Sequence, residues 1–555
     1  MWFFQFQKPF HADKCNIHRI NLCLVFLIFA CTGAFAQIIV DTELDALPTT
    51  DGSCTLREAV INANDDAATN PDCSAGLGVN DEIIFALGVD TISQVGPMEI
   101  TDSLIIGSEE QPVTIIGSGE SRLFAVPAPV DTEFRFITMT NGFTDSDGDQ
   151  PDLCVRSSGE GGALCSVGRV TLDNSVISDS QTNGNVAFGG GLFAFQLTAS
   201  NFSLIGNSTN GAFAPGGGGF LAGEMVQVIT NAVVENNSTT GGGLNSRGGG
   251  LFIVGPSVIA NSRITNNDTF AENGDGGGVY ANDIAVLINS MIDSNETLGA
   301  FSSGGGIASS SDISIDSSTI AFNQTSGVES SGGGIFSESG VLMQNSTVSN
   351  NSASPINSAG GGLVVFEPPV IRNSTISNNS SSRGGAGIHI SSTSTDAVEL
   401  ISTILANNSG PAGNLSATGL QVNAEASLFG DDPSEINGSA FNMVFSNDPL
   451  LEPLADNGCA EPAGAASNIQ CVQTRLLQLA SQAREGGSNP LILLSDQRSD
   501  GFDRTIGPQT DIGAIEMNFI PTTNSIAVPV FHPAGLLILL LGMICTPLLA
   551  LRRFI

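Results

Sequence analysis

The chain has 555 residues, only 13% of them charged, and a formal net charge of −37 that reflects 18 Lys and Arg against 55 Asp and Glu. No lysine follows Lys14, so the surface repels phosphates, which excludes nucleic-acid binding. Gly numbers 66, against one Trp and one Tyr, a composition that argues against a mainly helical body.

In chain order, Lys8, Lys14 and Arg19 precede the apolar run "INLCLVFLIFACTGAFA", which ends in Ala34-Phe35-Ala36. Positive region, short apolar core and small-x-small site predict a cleavable secretory signal over 1–36. An N-terminal cap is expected over 37–80. Within it, "DGSCTLREAVINAN" (Asp51 to Asn64) places Leu56, Ala59, Val60 and Ala63 on one face of a short helix. That helix could cover the open first coil of the repeat array that follows and shield its strand edges.

Further along, "TDSDGDQPD" sets Asp145, Asp147, Asp149 and Asp152 within eight residues, a spacing close to that of calcium loops. Gln150 stands where an EF-hand needs Gly. The segment therefore reads either as a candidate Ca²⁺ site or as a solvated acidic insertion. Otherwise no cofactor is expected.

The middle of the chain repeats one phrase. Aligning the apolar residue after each Gly cluster gives Leu164, Leu192, Phe220, Leu251, Val279, Ile307, Ile335, Leu363 and Ile388, at intervals of 28, 28, 31, 28, 28, 28, 28 and 25. A second apolar marker gives Ile177, Leu204, Val234, Ile264, Ile292, Ile320, Val348, Ile376 and Ile404, mostly 28 apart. Two markers keeping one period indicate a solenoid. Gly, Ser, Asn and Thr dominate each unit, and three short strands are read in it, as in "GGGIASSSDISIDSSTIAFN". Such strands pair with their equivalents in the next unit, which predicts an all-β parallel β-helix over 81–445 with coils of about 28 residues.

Three residues after the second marker comes an Asn column: Asn207, Asn237, Asn267, Asn295, Asn323, Asn351, Asn379 and Asn407, broken only by Ser180. Inward-facing amides stacked coil on coil can donate to one neighbour and accept from the other, so this column is read as structural. The Gly cluster supplies positive φ and close backbone approach.

Leaving aside the leader cysteines and Cys545, six remain, in three sequence-local couples: Cys54 and Cys73, Cys154 and Cys165, Cys459 and Cys471. They suit an oxidising compartment and three short-loop disulfides, although six cysteines allow 15 connectivities.

Ala534 to Leu551 gives 18 uncharged residues followed by Arg552 and Arg553. This predicts a C-terminal transmembrane helix, with its last residues cytoplasmic and the main body outside. A C-terminal capping region over 446–516, a linker over 517–533 and the anchor over 534–555 complete the organisation.

The phrase "CTLREA" with "DEIIF" and "VTIIGSG" after it resembles the Cys-Ser-Leu-Arg-Glu-Ala (CSLREA) motif of exported bacterial β-helix proteins, with Thr55 in place of Ser. "DPLLEPLADNGC" and "DQRSDGFDRTIGPQTDIGAIE" resemble the choice-of-anchor region of similar surface proteins, and "VPVFHPAGLLILLL" is similar to the Ile-Pro-Thr-Leu (IPTL) sorting tails of Gram-negative bacteria. Val528-Pro529-Val530-Phe531 departs from the usual letters of those tails. The resemblance implies a right-handed β-helix, Sec export, a module closing its far end and display at the cell surface. It carries no chemical activity with it.

Many β-helices process polysaccharides, so catalysis has to be weighed. A glycosidase needs two carboxyls flanking the bond. In the coils acids occur singly: Asp173, Glu235, Asp268, Asp275, Asp293, Glu296, Asp312 and Asp316. Asp293 and Asp316 lie in adjacent coils but in different columns. Arg263 and Arg372 have no acidic cluster beside them in sequence, and His389 reads as a solvated strand residue. No catalytic residue is assigned. The expected role is non-catalytic adhesion, envelope structure or glycan binding, with a cell-envelope, host or environmental polysaccharide or surface protein as partner and the membrane held through the C-terminal helix. The alternative is a polysaccharide lyase or glycoside hydrolase.

Overall fold

The computed structural model describes residues 37–518, other than 79–80, 110, 146–153, 155–158, 185, 244, 431–435, 437, 439, 447 and 460–470. The expected leader over 1–36 and the apolar segment over 534–551 lie outside the described residues. Among the described residues no helix is long and apolar enough to cross a membrane.

The repeat builds a parallel β-solenoid. One coil reads Ile307–Ser309, Ile313–Asp316, Thr319–Ala321 and Gln324–Thr325, and each strand pairs in parallel with the strand 28 residues on. There are thus four strands per coil, where the sequence suggests three. The fourth is only two residues long, too short to give an alternating pattern. Its inward residue forms a column of Thr182, Thr209, Thr239, Thr269, Thr297 and Thr325, all buried. Thr209 and Thr297 each donate to the carbonyl five residues ahead, Ala214 and Ser302, which closes the loop toward the next coil.

Third strands stack into a sheet of fourteen described strands, and fourth strands into one of nine. First and second strands share one sheet, because Leu164–Asp173 and Leu192–Ser200 run through the bend between them. The core is a set of vertical columns. One runs Ile92, Ile115, Met139, Ile177, Leu204, Val234, Ile264, Ile292, Ile320, Val348, Ile376, Leu405 and Phe429, all but fully buried. Each such side chain contributes about 1.5–3 kcal/mol by leaving water.

Two assignments within the columns are corrected. Phe220 is not in the inner column: this coil is one residue short, so Gly219, 27 residues after Leu192, takes the inner place opposite Leu192 and Leu251 and Phe220 turns outward. Similarly, Leu405 rather than Ile404 faces Ile376, so the ladder residue of that coil is Asn408. Asn407 is exposed, with φ of 60°. Three residues fewer before Ile388 and four more before Val398–Ile401 lengthen this coil by one, which breaks the count of 28.

The ladder runs from Ser180 to Asn414. Asn323 shows the pattern: its N–H and Nδ2 both donate to Asn351 Oδ1 at 3.0 Å, and Nδ2 also donates to Ile292 O at 2.9 Å. Each amide therefore ties three coils together and leaves its buried groups satisfied. The residue before each rung makes the bend: Asn236, Asn266, Phe322, Asn350 and Asn378 all have positive φ. A second bend of the same kind precedes the third strand, where Asn261, Asn289, Asn345 and Asn373 have positive φ and Ser262, Ser290, Ser346 and Ser374 follow. Ser262 N–H donates to Ser290 Oγ at 3.1 Å, and Ser290 N–H to Ser318 Oγ at 3.0 Å. The repeated "NST" and "NN" phrases thus write two left-handed bends, each followed by a rung.

Gly306, the last of its cluster, needs to be glycine: an added Cβ would lie 2.7 Å from Gly334 O and 2.9 Å from Asn323 Cγ. At the C-terminal end, the equivalent place before the first strand Leu415–Ser416 is taken by Asn414. Asn408 N–H and Nδ2 donate to Asn414 Oδ1 at 3.0 and 2.8 Å, so this amide terminates the ladder.

At the N-terminal end, Gln37–Val40 pairs with Asp81–Phe85, and helix α1 (Leu56–Asp65) buries Leu56, Ala59, Val60 and Ala63. Thr55 caps it, its hydroxyl accepting from Glu58 N while Glu58 Oε2 accepts from Thr55 N, a reciprocal capping box. Arg57 pairs with both oxygens of Asp45 at 2.9 and 2.8 Å and donates to Gly96 O and Pro97 O. Disulfides join Cys54 to Cys73, Cys154 to Cys165 and Cys459 to Cys471.

The C-terminal region lies along the flank of the solenoid, over the third strands of five coils. Thr319 Oγ1 donates to Gln473 O at 2.6 Å, Thr347 Oγ1 to Gln497 Oε1 at 2.5 Å, and Ala514 N–H donates to Thr375 Oγ1 at 3.1 Å. Toward the end of the solenoid, Ile404 and Leu428 pack with Leu477, Ala483 and Ile512. The outward third-strand positions are small beneath this strap, Thr319/Ala321, Thr347/Ser349 and Thr375/Ser377, where the preceding coils carry Arg263/Thr265 and Met291/Asp293.

Candidate functional site

Outward positions of the first strands would ordinarily be polar. Here Phe193, Phe220, Phe252 and Tyr280 are register neighbours in four successive coils. Their ring centroids are 5.6, 4.7 and 5.0 Å apart, with interplanar angles of 4, 5 and 25°. The period places one ring over the next at the coil rise, and the offset stack stabilises the column from outside the core. Phe188 packs 4.9 Å from Phe220, and the Cys154–Cys165 disulfide covers the end at Phe193. Phe220 and Phe252 stay half-buried, so their edges form an apolar strip on the flank.

At the other end the strip meets charge. The Arg247 guanidinium lies 4.6 Å from the Tyr280 ring centroid and donates to its hydroxyl at 2.7 Å. Arg247 also pairs with Asp275 at 3.0 Å, and Tyr280 Oη is 2.7 Å from Ser310 Oγ. Asp275 accepts from Ser303 N at 2.8 Å; burial pushes its carboxyl up to about 6, with Arg247 pulling the other way. Phe193 and Tyr280 are themselves buried, so what faces outward is the edges of Phe220 and Phe252 beside the half-buried Arg247 cation, which can meet a ligand that is polar at its rim and apolar on its faces.

Most coil acids serve the fold. Asp293 takes both arms of Arg263 at 3.0 Å, a partner 30 residues away in sequence that local reading of Arg263 misses. Arg372 likewise meets Glu399 at 3.5 Å in the next coil. Asp316 accepts from Gln344 Nε2 at 2.8 Å, Asp312 from Gly340 N at 3.0 Å, and Asp173 from Ser200 Oγ at 2.5 Å. Asp293 and Asp316 belong to different sheets.

Asp268 and Glu296, by contrast, are direct register neighbours on the outer face of the fourth-strand sheet. Burial, with Glu296 adding to it, pushes Asp268 up to about 6. The sequence hides this pair because each acid stands alone in its own coil. His389 is half-buried rather than solvated, between Ile388 and Ile390, and is held below its usual range by burial first and Arg383 second.

Of the four aspartates in the acidic loop, only Asp145 is described, at the exposed end of Phe143–Asp145; Asp147, Asp149 and Asp152 lie outside the described residues. Among the described residues no group of three or more His, Cys, Asp or Glu is placed to hold a metal ion.

No protein-family model matches this sequence, and no curated protein matches it.

Proposed function

We propose that the chain is an exported, right-handed β-helix of a Gram-negative cell surface, attached through 534–551, whose flank binds polysaccharide without turning it over. The engagement of the coil acids carries this reading: Asp173, Asp275, Asp293, Asp312 and Asp316 are each committed to a partner inside the fold. The half-buried edges of Phe220 and Phe252, beside Arg247, offer a binding surface on successive coils, and three disulfides suit an oxidising compartment. The CSLREA-like and choice-of-anchor-like segments and the IPTL-like tail support surface display. Glycan-array binding of the exported chain tests the proposal: signal on polysaccharide that Arg247→Ala removes is expected, and a blank array overturns it.

One observation favours a second reading. Asp268 and Glu296 sit one coil apart, and strands at that spacing of ~4.8 Å can bring two carboxyls to the separation used by retaining glycosidases. A reducing-end assay over a polysaccharide panel separates the two readings: product formed by the intact chain and lost in Glu296→Gln would establish the enzyme.

A further inference from the structure

The strap carries a protrusion that packing does not explain. In "NPLILLS", Leu491, Ile492 and Leu494 are 42, 80 and 86% exposed. The loop is built rather than slack: Asn489 Oδ1 accepts from Leu493 N at 2.8 Å, Asn489 Nδ2 donates to Leu493 O at 2.8 Å, and Ile492 N–H donates to Asn489 O at 3.2 Å. Ile492 has φ of 54°, a left-handed conformation that a β-branched residue adopts only under constraint. Its base is fixed to the solenoid, with Asn345 Nδ2 donating to Ser495 O at 2.9 Å and Asn373 Nδ2 to Ser488 O at 2.7 Å. Five hydrogen bonds thus hold three large apolar side chains out in water against the strain at Ile492, an arrangement that costs stability unless something apolar receives them.

We propose that this loop, centred on Ile492 and Leu494, dips into the surface of a lipid bilayer. The occupant follows from where the chain goes next. Asn518, the last described residue, is held to the same strap by Arg484 Nη2 at 2.8 Å. The uncharged run begins at Ala534, and the residues between can reach at most roughly 50 Å when extended. The inference rests on the reading of 534–551 as a membrane anchor; given that anchor, the strap is tethered within reach of the interface. Three apolar side chains on a rigid loop would then fix how the solenoid stands on the membrane.

The only tryptophan is Trp2. Leu494→Trp in a Trp2→Phe background therefore places a single fluorophore on the loop, at an exposed position where folding is not at stake. The full chain is reconstituted into phosphatidylcholine vesicles with brominated acyl chains. Blue-shifted emission that the brominated lipid quenches is expected, with Leu87→Trp, at a position 96% exposed near the N-terminal end, left unquenched as control. Chain that floats with the vesicles but is not quenched at position 494 overturns the loop proposal and leaves the anchor standing. Chain that does not float overturns the anchor reading and the proposal with it. A blue shift without vesicles that grows with protein concentration identifies a second copy as the occupant and also overturns it.

Discussion

Asn379 gives both its main-chain N–H and its Nδ2 to the side-chain oxygen of Asn408, at 3.0 and 2.9 Å, and bypasses Asn407 altogether. The two adjacent asparagines therefore have unlike roles. Asn323→Ala, in mid-ladder, would strand the N–H of Asn295, leave its Nδ2 with only Ile264 O, and deprive Ile292 O of its donor. At about 1–3 kcal/mol for each buried group left unsatisfied, a loss of several kcal/mol is expected. Asn407→Gly should stay near neutral, because glycine accepts positive φ at little cost. Urea unfolding of the two variants checks the contrast.

The strap should come away without the solenoid. Gln497 Nε2 donates to Ser318 O at 3.0 Å and to Thr319 Oγ1 at 2.7 Å, and its Oε1 accepts from Thr347. Gln497→Ala removes all three bonds in a buried site. Faster hydrogen exchange across 473–514, with unchanged protection in Ile307–Ala321, is the expected result.

Strap stability should fall between acid and neutral pH. Burial raises the Glu516 carboxyl to about 7, even though it accepts from Ile506 N and Asp511 N and lies near Arg504. A folded-state value above the unfolded one means that the fold holds the proton more tightly, so the stabilisation is full below the carboxyl's ordinary value of 4.5 and is lost as pH rises toward 7. Thermal unfolding at pH 5 and pH 7.5 should show the strap transition lower at the higher pH, and Glu516→Gln should flatten the difference. Asp268 and Asp275, both raised to about 6, add a slope of the same sign to the solenoid itself.

Cutting the Cys54–Cys73 link should loosen the N-terminal cap. The bond closes a segment with a sequence separation of 19, and removal of such a cross-link costs about 3 kcal/mol. A Cys54→Ser, Cys73→Ser variant should lose protection in α1 and in Gln37–Val40 and aggregate through the strand edge so exposed, as light scattering on heating would report.

The solenoid was legible because its period is written in residue types: Ile264, Ile292 and Ile320 face one another as counted, and so do Asn267, Asn295 and Asn323. Legibility failed where a coil changes length. One residue fewer in its coil moves Phe220 from core to flank, and one residue more moves the rung from Asn407 to Asn408. The aromatic strip is hidden for the same reason, since the 28-residue count places Phe220 inward. The pairing of Asp268 with Glu296 and of Arg263 with Asp293 joins residues 28 and 30 apart, a separation at which contacts appear only once the register is known. The strap left a faint trace, the small outward residues Ala321, Ser349 and Ser377, which have meaning only when another segment is known to lie over them.

Asn414 takes the place of a glycine at the end of the described ladder, so the stop signal is local and does not depend on how many coils come before it. Overall length is then a free variable in one half of the molecule and a fixed one in the other. A duplicated coil between Leu204 and Ile264 would lengthen the rod and leave every other contact in register. The same duplication between Thr319 and Thr375 would carry the anchor points of Gln473, Gln497 and Ala514 out of step with one another. Growth and shrinkage by whole turns are therefore open to this architecture on its N-terminal side alone.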